Sequence, residues 1–362
     1  MIRNLLALTL PSLVVLVFVV EMTVTYLIPA AQFPVYYYDP EDQILRFSTN
    51  DQRDGVFTIG TMAQQRGRWR INNMGWNSAI DFVPVKRAPR IVIIGDSYVE
   101  ALQVNVEDSI AGQLRRMVSP EVEVYAFGIS GASLSQYVQM ARYARSHFEP
   151  DLVVINVVHN DFDESLCAVK RQTGMLCLDD DGPAIREAPI VPYQPNTVFR
   201  LARRSAAIRF FTANLKLTDR IQQLFARQVP YDRYNANVDA EKVTSQRRRI
   251  SKVTDYVLST LKREMGDIPV MFLIDAPRRD IYAGTLRESS VAWLNEHLKN
   301  QCEKFQFRFI DLTDEFSRIF DVTRIQFESE FDWHWNERGH LAAAFEVYRK
   351  LEALGLIEMS GD

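Results

Sequence analysis

Five short runs rich in β-branched residues, Ile91 to Ile94, Val122 to Phe127, Leu152 to Val158, Val270 to Ile274 and Phe307 to Ile310, alternate with longer stretches of helical periodicity. Each run is too short for a free-standing helix and favours an extended chain. The stretches between them read as amphipathic helices over Ser109 to Val118, Leu134 to Phe148, Arg248 to Glu264, Ser289 to Phe305 and Glu337 to Leu354. In the third, Ile250, Val253, Tyr256, Val257 and Leu261 recur at three and four and share one face. Strands that are apolar on both faces need cover on both faces. The alternation therefore predicts an α/β fold, a three-layer sandwich around a five-stranded parallel sheet.

The chain has 362 residues, enough for one large domain with insertions or two small ones. Its formal charge of -4 argues against a nucleic-acid binder. Residues Leu5 to Ile28 are almost continuously apolar after Arg3, long enough at about 1.5 Å per residue to cross roughly 30 Å of hydrocarbon. Pro11 and Glu21 interrupt the run, Pro11 near its start and Glu21 near the far interface. A cleaved signal peptide is the competing reading, but its apolar region spans only roughly 7 to 15 residues, and Ile28-Pro29-Ala30 is a poor cleavage site. The segment reads as an uncleaved anchor. Arg3 before it and Asp39, Glu41 and Asp42 after it place the amino terminus inside and export the bulk of the chain.

The expected organisation is an anchor over residues 1–30, a preface of loops and short strands over 31–88, and a catalytic-type domain over 89–362 with an insertion at about 167–246. The preface contains Tyr36-Tyr37-Tyr38, which suit either a membrane interface or packing on the domain, and a turn expected at Asp54-Gly55. The insertion is marked by Pro183, Pro189, Pro192 and Pro195 and by a basic stretch with Arg200, Arg203, Arg204 and Arg209. Those arginines suit a solvated helix face, an acidic polymer or lipid headgroups. The three cysteines, Cys167, Cys177 and Cys302, lack the spacing of a metal site. Either Cys167 and Cys177 close a short loop in an oxidising compartment and Cys302 is buried on a helix, or all three are free buried thiols.

Chemistry concentrates at strand ends. The first strand breaks at Gly95-Asp96-Ser97, putting a hydroxyl at the carboxyl edge of the sheet, where ligands of open α/β sheets gather. Alone, Ser97 would equally serve as a helix cap. The second strand ends in Gly128-Ile129-Ser130-Gly131, where Gly131 can present its N–H to an anion and Gly128 reads as a positive-φ glycine of the following loop. The third ends in Val158-His159-Asn160-Asp161, where the Asn160 amide can donate to the same anion or cap a turn. Far downstream, Asp332-Trp333-His334 pairs a base with an acid that can fix its tautomer, an arrangement expected to need irregular backbone. His147, His297 and His340 read as structural, and His159 lies near the site without an assigned step. No G-x-G-x-x-G follows the first strand, which argues against a dinucleotide enzyme.

These four segments, over roughly Arg90 to Asp161 and Asp311 to Leu354, together resemble the SGNH or GDSL-type esterase and acyltransferase superfamily. The resemblance implies a flavodoxin-like sheet, Ser97 as nucleophile, His334 with Asp332 as base, and an oxyanion hole from the Ser97 and Gly131 N–H groups and Asn160. Val158 stands where the common third block has glycine, and Asp332-x-His334 is shorter than the common Asp-x-x-His. The shorter form, with Asn72, Asn73, Gly75 and Trp76, resembles membrane-anchored bacterial cell-envelope members, including alginate O-acetylation proteins. The implied function is a serine esterase removing an acyl group, acetyl foremost, from an envelope or extracellular carbohydrate, without cofactor or metal. An O-acetyltransferase using the same triad, and a catalytically weak polysaccharide-binding or assembly protein, are the alternatives. The expected partners are an acylated carbohydrate or small ester and the membrane.

Overall fold

The computed structural model describes residues 2–118, 120, 122–182, 184–217, 238 and 240–356. Pro183, part of the expected insertion and the last six residues of the expected domain lie outside the described residues. The five strands form as the apolar runs predict: β1 Arg90–Gly95, β2 Glu123–Gly128, β3 Leu152–Val157, β4 Val270–Ile274 and β5 Arg308–Asp311. They make one parallel sheet in the order β2-β1-β3-β4-β5. The fold is the flavodoxin-like α/β sandwich of the resemblance. Ile91 lies opposite Val124 on one side and Leu152 on the other, so β1 sits between β2 and β3 and their carboxyl ends stand side by side.

Strand side chains alternate between two cores, as a period of two requires. Val92, Ile94, Phe127, Ile155 and Phe272 join a core with the buried faces of α3 (Leu134–Phe148), α4 (Arg247–Met265) and α5 (Ala292–Phe305). Ile91, Ile93, Val124, Val154 and Leu273 face the other core with α2 (Ile110–Val118), α6 (Thr313–Thr323) and α7 (Glu337–Ala353). Helix α6 was not expected from the sequence. Phe316 and Phe320 are its only buried apolar side chains, too few apolar repeats to stand out beside β5.

The amino-terminal helix α1 (Ile2–Tyr26) contains Pro11, and its 19-residue stretch Leu8–Tyr26 is apolar, almost wholly exposed and long enough to cross a membrane. Glu21 accepts hydrogen bonds from Ser205 Oγ at 2.7 Å and from the N–H groups of Ala206 at 2.7 Å and Ala207 at 2.9 Å. The preface folds into two hairpins, Tyr36–Asp39 with Ile44–Phe47 and Asp54–Ile59 with Gln65–Arg70. Tyr36 stacks on Phe47 with centroids 5.1 Å apart, so Tyr36 and Tyr38 pack on the domain while Tyr37 between them is exposed. The turn expected at Asp54-Gly55 is instead the start of a strand. A Cβ on Gly55 would come within 2.2 Å of the Trp69 ring, so this glycine makes room for a buried indole rather than for a turn. Cys167 and Cys177 are disulfide-bonded, and Cys302 is a free thiol buried on α5.

Candidate active site

Strand β1 delivers the chain to a tight corner. Asp96 caps the short helix Ser97–Glu100, its carboxylate accepting the Tyr98 N–H at 2.9 Å, and Ser97 is left half-buried at the first helical position. The corner presses on the end of β2, where a Cβ on Gly128 would lie 2.1 Å from the Glu100 nitrogen. Gly128 is thus needed for close approach, and its φ is not positive, contrary to the sequence expectation.

His334 arrives on a two-stranded ribbon. Asp332–Trp335 is a β-strand paired antiparallel with Glu328–Ser329. Residues two apart in a strand share a face, so Asp332 and His334 project together. The pairing shifts register between Glu328 opposite Trp335 and Ser329 opposite Asp332, so the backbone is irregular across this pair, as expected. His334 Nδ1 lies 2.8 Å from Asp332 Oδ1, and His334 Nε2 lies 2.7 Å from Ser97 Oγ. The Asp96 carboxylate is a second neighbour of the Ser97 hydroxyl, at 3.3 Å.

The residue between, Trp333, turns its carbonyl to the opposite side. There it accepts from Tyr98 Oη at 2.9 Å and from Arg278 at 2.7 Å. Arg278 is wholly buried and also donates to Tyr98 Oη at 2.7 Å, Asp275 at 3.2 Å and Glu328 at 2.6 Å. Trp335 is buried and donates its indole N–H to Asp275 at 2.9 Å. One guanidinium thereby ties β4 to both strands of the ribbon. Asn336 caps α7, accepting from the N–H groups of Arg338 and Gly339, and fixes where the ribbon ends.

Burial alone would lower the basicity of His334, but the Asp332 carboxylate and its hydrogen bond outweigh that and hold the imidazole above its ordinary value. For Asp332, burial pushes up while the His334 charge and hydrogen bond pull further down, leaving the carboxyl below its usual range. Burial raises Asp96 to about 6, against the opposing Tyr98 N–H bond. Burial, with the Asp96 charge adding to it, drives Glu100 and Asp161 well above the usual carboxylate range.

Gly131 follows β2 with φ +84° and Asn160 follows β3, so their loops flank Ser97 on either side of the central strand. Asn160 stands at the cap position of the helix Asp161–Glu164 but its side chain does not cap it. Its Oδ1 is buried without a partner. Among the described residues no hydrogen bond engages the Asn160 Nδ2 or the N–H of Ser97 or Gly131. Val158, the departure from the common third block, is fully buried and donates its N–H to Asp161 at 2.8 Å. The wall beside Gly131 is polar: a Cβ there would be 2.8 Å from Gln172 Oε1 and 3.3 Å from Lys170 Nζ. Lys170 pairs with Glu164 at 2.5 Å, and Ser130 is hydrogen-bonded to Glu100.

The other histidines stand apart from this chain. Buried His340 accepts the Ile110 N–H at 3.2 Å, and burial lowers it to about 3. His147 lies 3.3 Å from Asp42, and His159, fully buried, meets Asn295 at 2.7 Å. Among the described residues no group of three or more His, Cys, Asp or Glu is arranged to hold a metal ion. Sequence reasoning missed Asp275, Arg278, Glu328 and Tyr98. The available signal was Asp275 directly following β4 and an arginine three residues later, since strand ends in such sheets surround the site.

The sequence model of the GDSL-like lipase/acylhydrolase family matches residues 93–342. The chain belongs to this family. It is therefore an ester-hydrolysing enzyme by membership, with the matched region running from β1 into α7. Comparison with curated proteins finds no match. Among solved structures, a lipase/acylhydrolase from Enterococcus faecalis is 13% identical with TM-score 0.41, covering 76% of this chain and 100% of that one. A carbohydrate acetylesterase from Sinorhizobium meliloti is 12% identical with TM-score 0.38, covering 74% and 99%. An acetyl xylan esterase is 12% identical with TM-score 0.40, covering 72% and 99%.

Proposed function

We propose that this GDSL-family enzyme is an anchored serine esterase that removes a short acyl group, acetyl foremost, from a carbohydrate of the cell envelope or its surroundings. The observation that carries the reading is the unbroken chain from Ser97 Oγ through His334 to Asp332, at 2.7 and 2.8 Å. Ser97 Oγ attacks the ester carbonyl and its proton passes to His334 Nε2. The resulting oxyanion is held by the Ser97 and Gly131 N–H groups and the Asn160 amide. Collapse expels the alcohol, which takes the proton from His334 and leaves the acyl group on Ser97. Water then attacks the acyl-serine, giving its proton to His334, and the acid departs as Ser97 is reprotonated. Asp332 stabilises the imidazolium in both halves.

The polar residues near the Gly131 loop support the substrate class. Gln172, Lys170, Glu164 and Ser130 around the Gly131 loop offer polar groups where a long acyl chain would need an apolar channel. Such a surface suits a small acyl group on a hydroxyl-rich alcohol. The apolar α1 and the Cys167–Cys177 disulfide support a domain held at a membrane on the oxidising, periplasmic or extracellular side of a bacterial inner membrane, with the amino terminus inside. Acetylated and octanoylated forms of one oligosaccharide, offered to the full chain in detergent, test this. Acetate release at least tenfold faster than octanoate release is expected, and faster cleavage of the octanoyl ester would overturn the substrate reading. Acetyl appearing on an added unacetylated oligosaccharide instead of in water would make the enzyme a transferase.

A further inference from the structure

The anchor helix ends against a segment that the esterase chemistry does not use. Glu21, in the last turns of α1, is fastened to Ser205, Ala206 and Ala207, and Val24 and Ala30 pack with Ala206 and Phe210. At about 1.5 Å per residue, Glu21 lies roughly 8 Å from the helix end at Tyr26. The segment it grips is consequently held at the level where the apolar span gives way to the domain.

That segment combines two features that rarely meet on a surface facing water alone. On the helix Ala206–Arg209 and the turn of helix after it, Ala206 and Phe210 face inward, leaving Ile208 and Phe211, three apart on the outer face, exposed. Leu201 is 59% exposed on the preceding helix Thr197–Ala202, and Leu27, just past α1, is 77% exposed. Interleaved with these apolar side chains are arginines. Arg200, Arg203, Arg204 and Arg209 line a cleft of about 350 Å³ together with Phe33, Tyr193 and Asp51. Arg203 stacks over the Phe33 ring at 4.8 Å, and Arg209 is spent on the Ala31, Arg203 and Arg204 carbonyls. Arg200 and Arg204 are exposed, and no hydrogen bond or ion pair engages either guanidinium among the described residues.

We propose that residues 197–217 are an interfacial docking element that lays the domain on an anionic lipid surface beside the exit of α1, Leu201, Ile208 and Phe211 entering the acyl boundary and Arg200 and Arg204 taking headgroup phosphates. Apolar side chains alternating with arginine, which pairs with phosphate through a planar fork, are what such a boundary selects. The consequence is orientational. A single helix leaves a domain free to swing about its tether, whereas a second contact fixes which face of the sheet edge, and so which approach to Ser97, is turned from the membrane. The proposal rests on α1 being the anchor, and the two are tested separately.

Single fluorophores are placed on Phe18→Cys, Ile208→Cys and Val322→Cys in the full chain, reconstituted into vesicles containing lipids with nitroxides at shallow or deep positions. The native thiol Cys302 is buried and the other two cysteines are bonded, so labelling is selective. Val322, 79% exposed on α6, is the control for a surface away from α1. Deep quenching at position 18 establishes the anchor, and its absence removes that reading whatever position 208 shows. With the anchor in place, shallow quenching at 208 is expected to rise several-fold from pure phosphatidylcholine to vesicles one-third phosphatidylglycerol, and to return towards the neutral-lipid value in Arg200→Gln/Arg204→Gln and at high salt. Position 322 should stay unquenched. Quenching at 208 no greater than at 322 overturns the proposal, as does quenching that ignores both lipid charge and the arginine substitutions. If the double variant keeps its quenching but raises KM for an acetylated uronic-acid oligosaccharide and not for a neutral one, the cleft is a substrate subsite instead.

Discussion

His334 lies between burial, which favours the neutral ring, and the Asp332 carboxylate, which favours the imidazolium and prevails. A general base must be unprotonated to act, so activity is lost as pH falls through its pKa. With that pKa held above the ordinary 6.5, the acid limb of kcat/KM on a non-ionising ester should lie above pH 6.5. Asp332→Asn removes the group that raises it. The limb should move down and kcat fall by about 10⁴-fold, the cost found when a triad carboxylate is neutralised. A wild-type limb at or below 6.5, or a limb that Asp332→Asn leaves in place, would contradict this assignment. Asn160 is the other residue whose role makes a numerical demand. Its side chain neither caps the helix it precedes nor finds a partner for Oδ1. As an oxyanion donor, its loss in Asn160→Ala should reduce kcat by roughly 100- to 1000-fold with KM little changed. A merely structural Asn160 would show in thermal stability and leave kcat within a few-fold.

At the scale of elements, the ribbon Glu328–Ser329 with Asp332–Trp335 matters most, because it carries two residues of the proposed triad on a strand only four residues long. So short a pair is not stable alone. Arg278 holds it from behind, through the Trp333 carbonyl, Tyr98 Oη and Glu328. Arg278→Lys keeps the charge but cannot make the planar fork. The expected result is a fall in kcat of about 100-fold, since small displacements of a positioned base are costly. KM should change little, and the acid limb should persist at lower amplitude. Arg278→Gln leaves Asp275 and Glu328 buried without their cation and should cost about 3–5 kcal/mol in unfolding. Equal kcat for Arg278→Lys and the wild type would show that the ribbon is held by other contacts. The sequence announced the pairing of Asp332 with His334 but hid the element carrying it. Two aromatics and alternating polar residues in a four-residue stretch do not outweigh the surrounding turns, and the partner strand is only two residues long. Helix α6 escaped notice for a related reason, a buried stripe of only two phenylalanines.

Across the whole molecule, what could be read in advance was whatever depends on short-range pattern. The five sheet strands are apolar on both faces and bounded by breaks, so their number and parallel arrangement were legible, and strand-end motifs located Ser97, Gly131 and Asn160 at one edge. What depends on distant partners was not legible. Ser97 and His334 are separated by 237 positions yet lie 2.7 Å apart, and only their motif contexts linked them. The Arg278 network joins three elements through side chains that look unremarkable in sequence, and Gly55 and Gly128 each answer to a neighbour's approach rather than to their own φ. Nor could the sequence say that Glu21, an acid in an apolar helix, meets the start of another helix. The central claim is that Ser97 takes the acyl group in a site assembled from these distant parts. Its most direct test is intact-mass measurement of the full chain and of Ser97→Ala, each mixed with 4-nitrophenyl acetate and quenched in acid within the first turnover. The account predicts a single acetyl adduct on the wild type, mapped to the peptide containing Ser97, and none on the variant at equal folded stability. An adduct of equal yield on both proteins, or turnover that survives in Ser97→Ala, would contradict it.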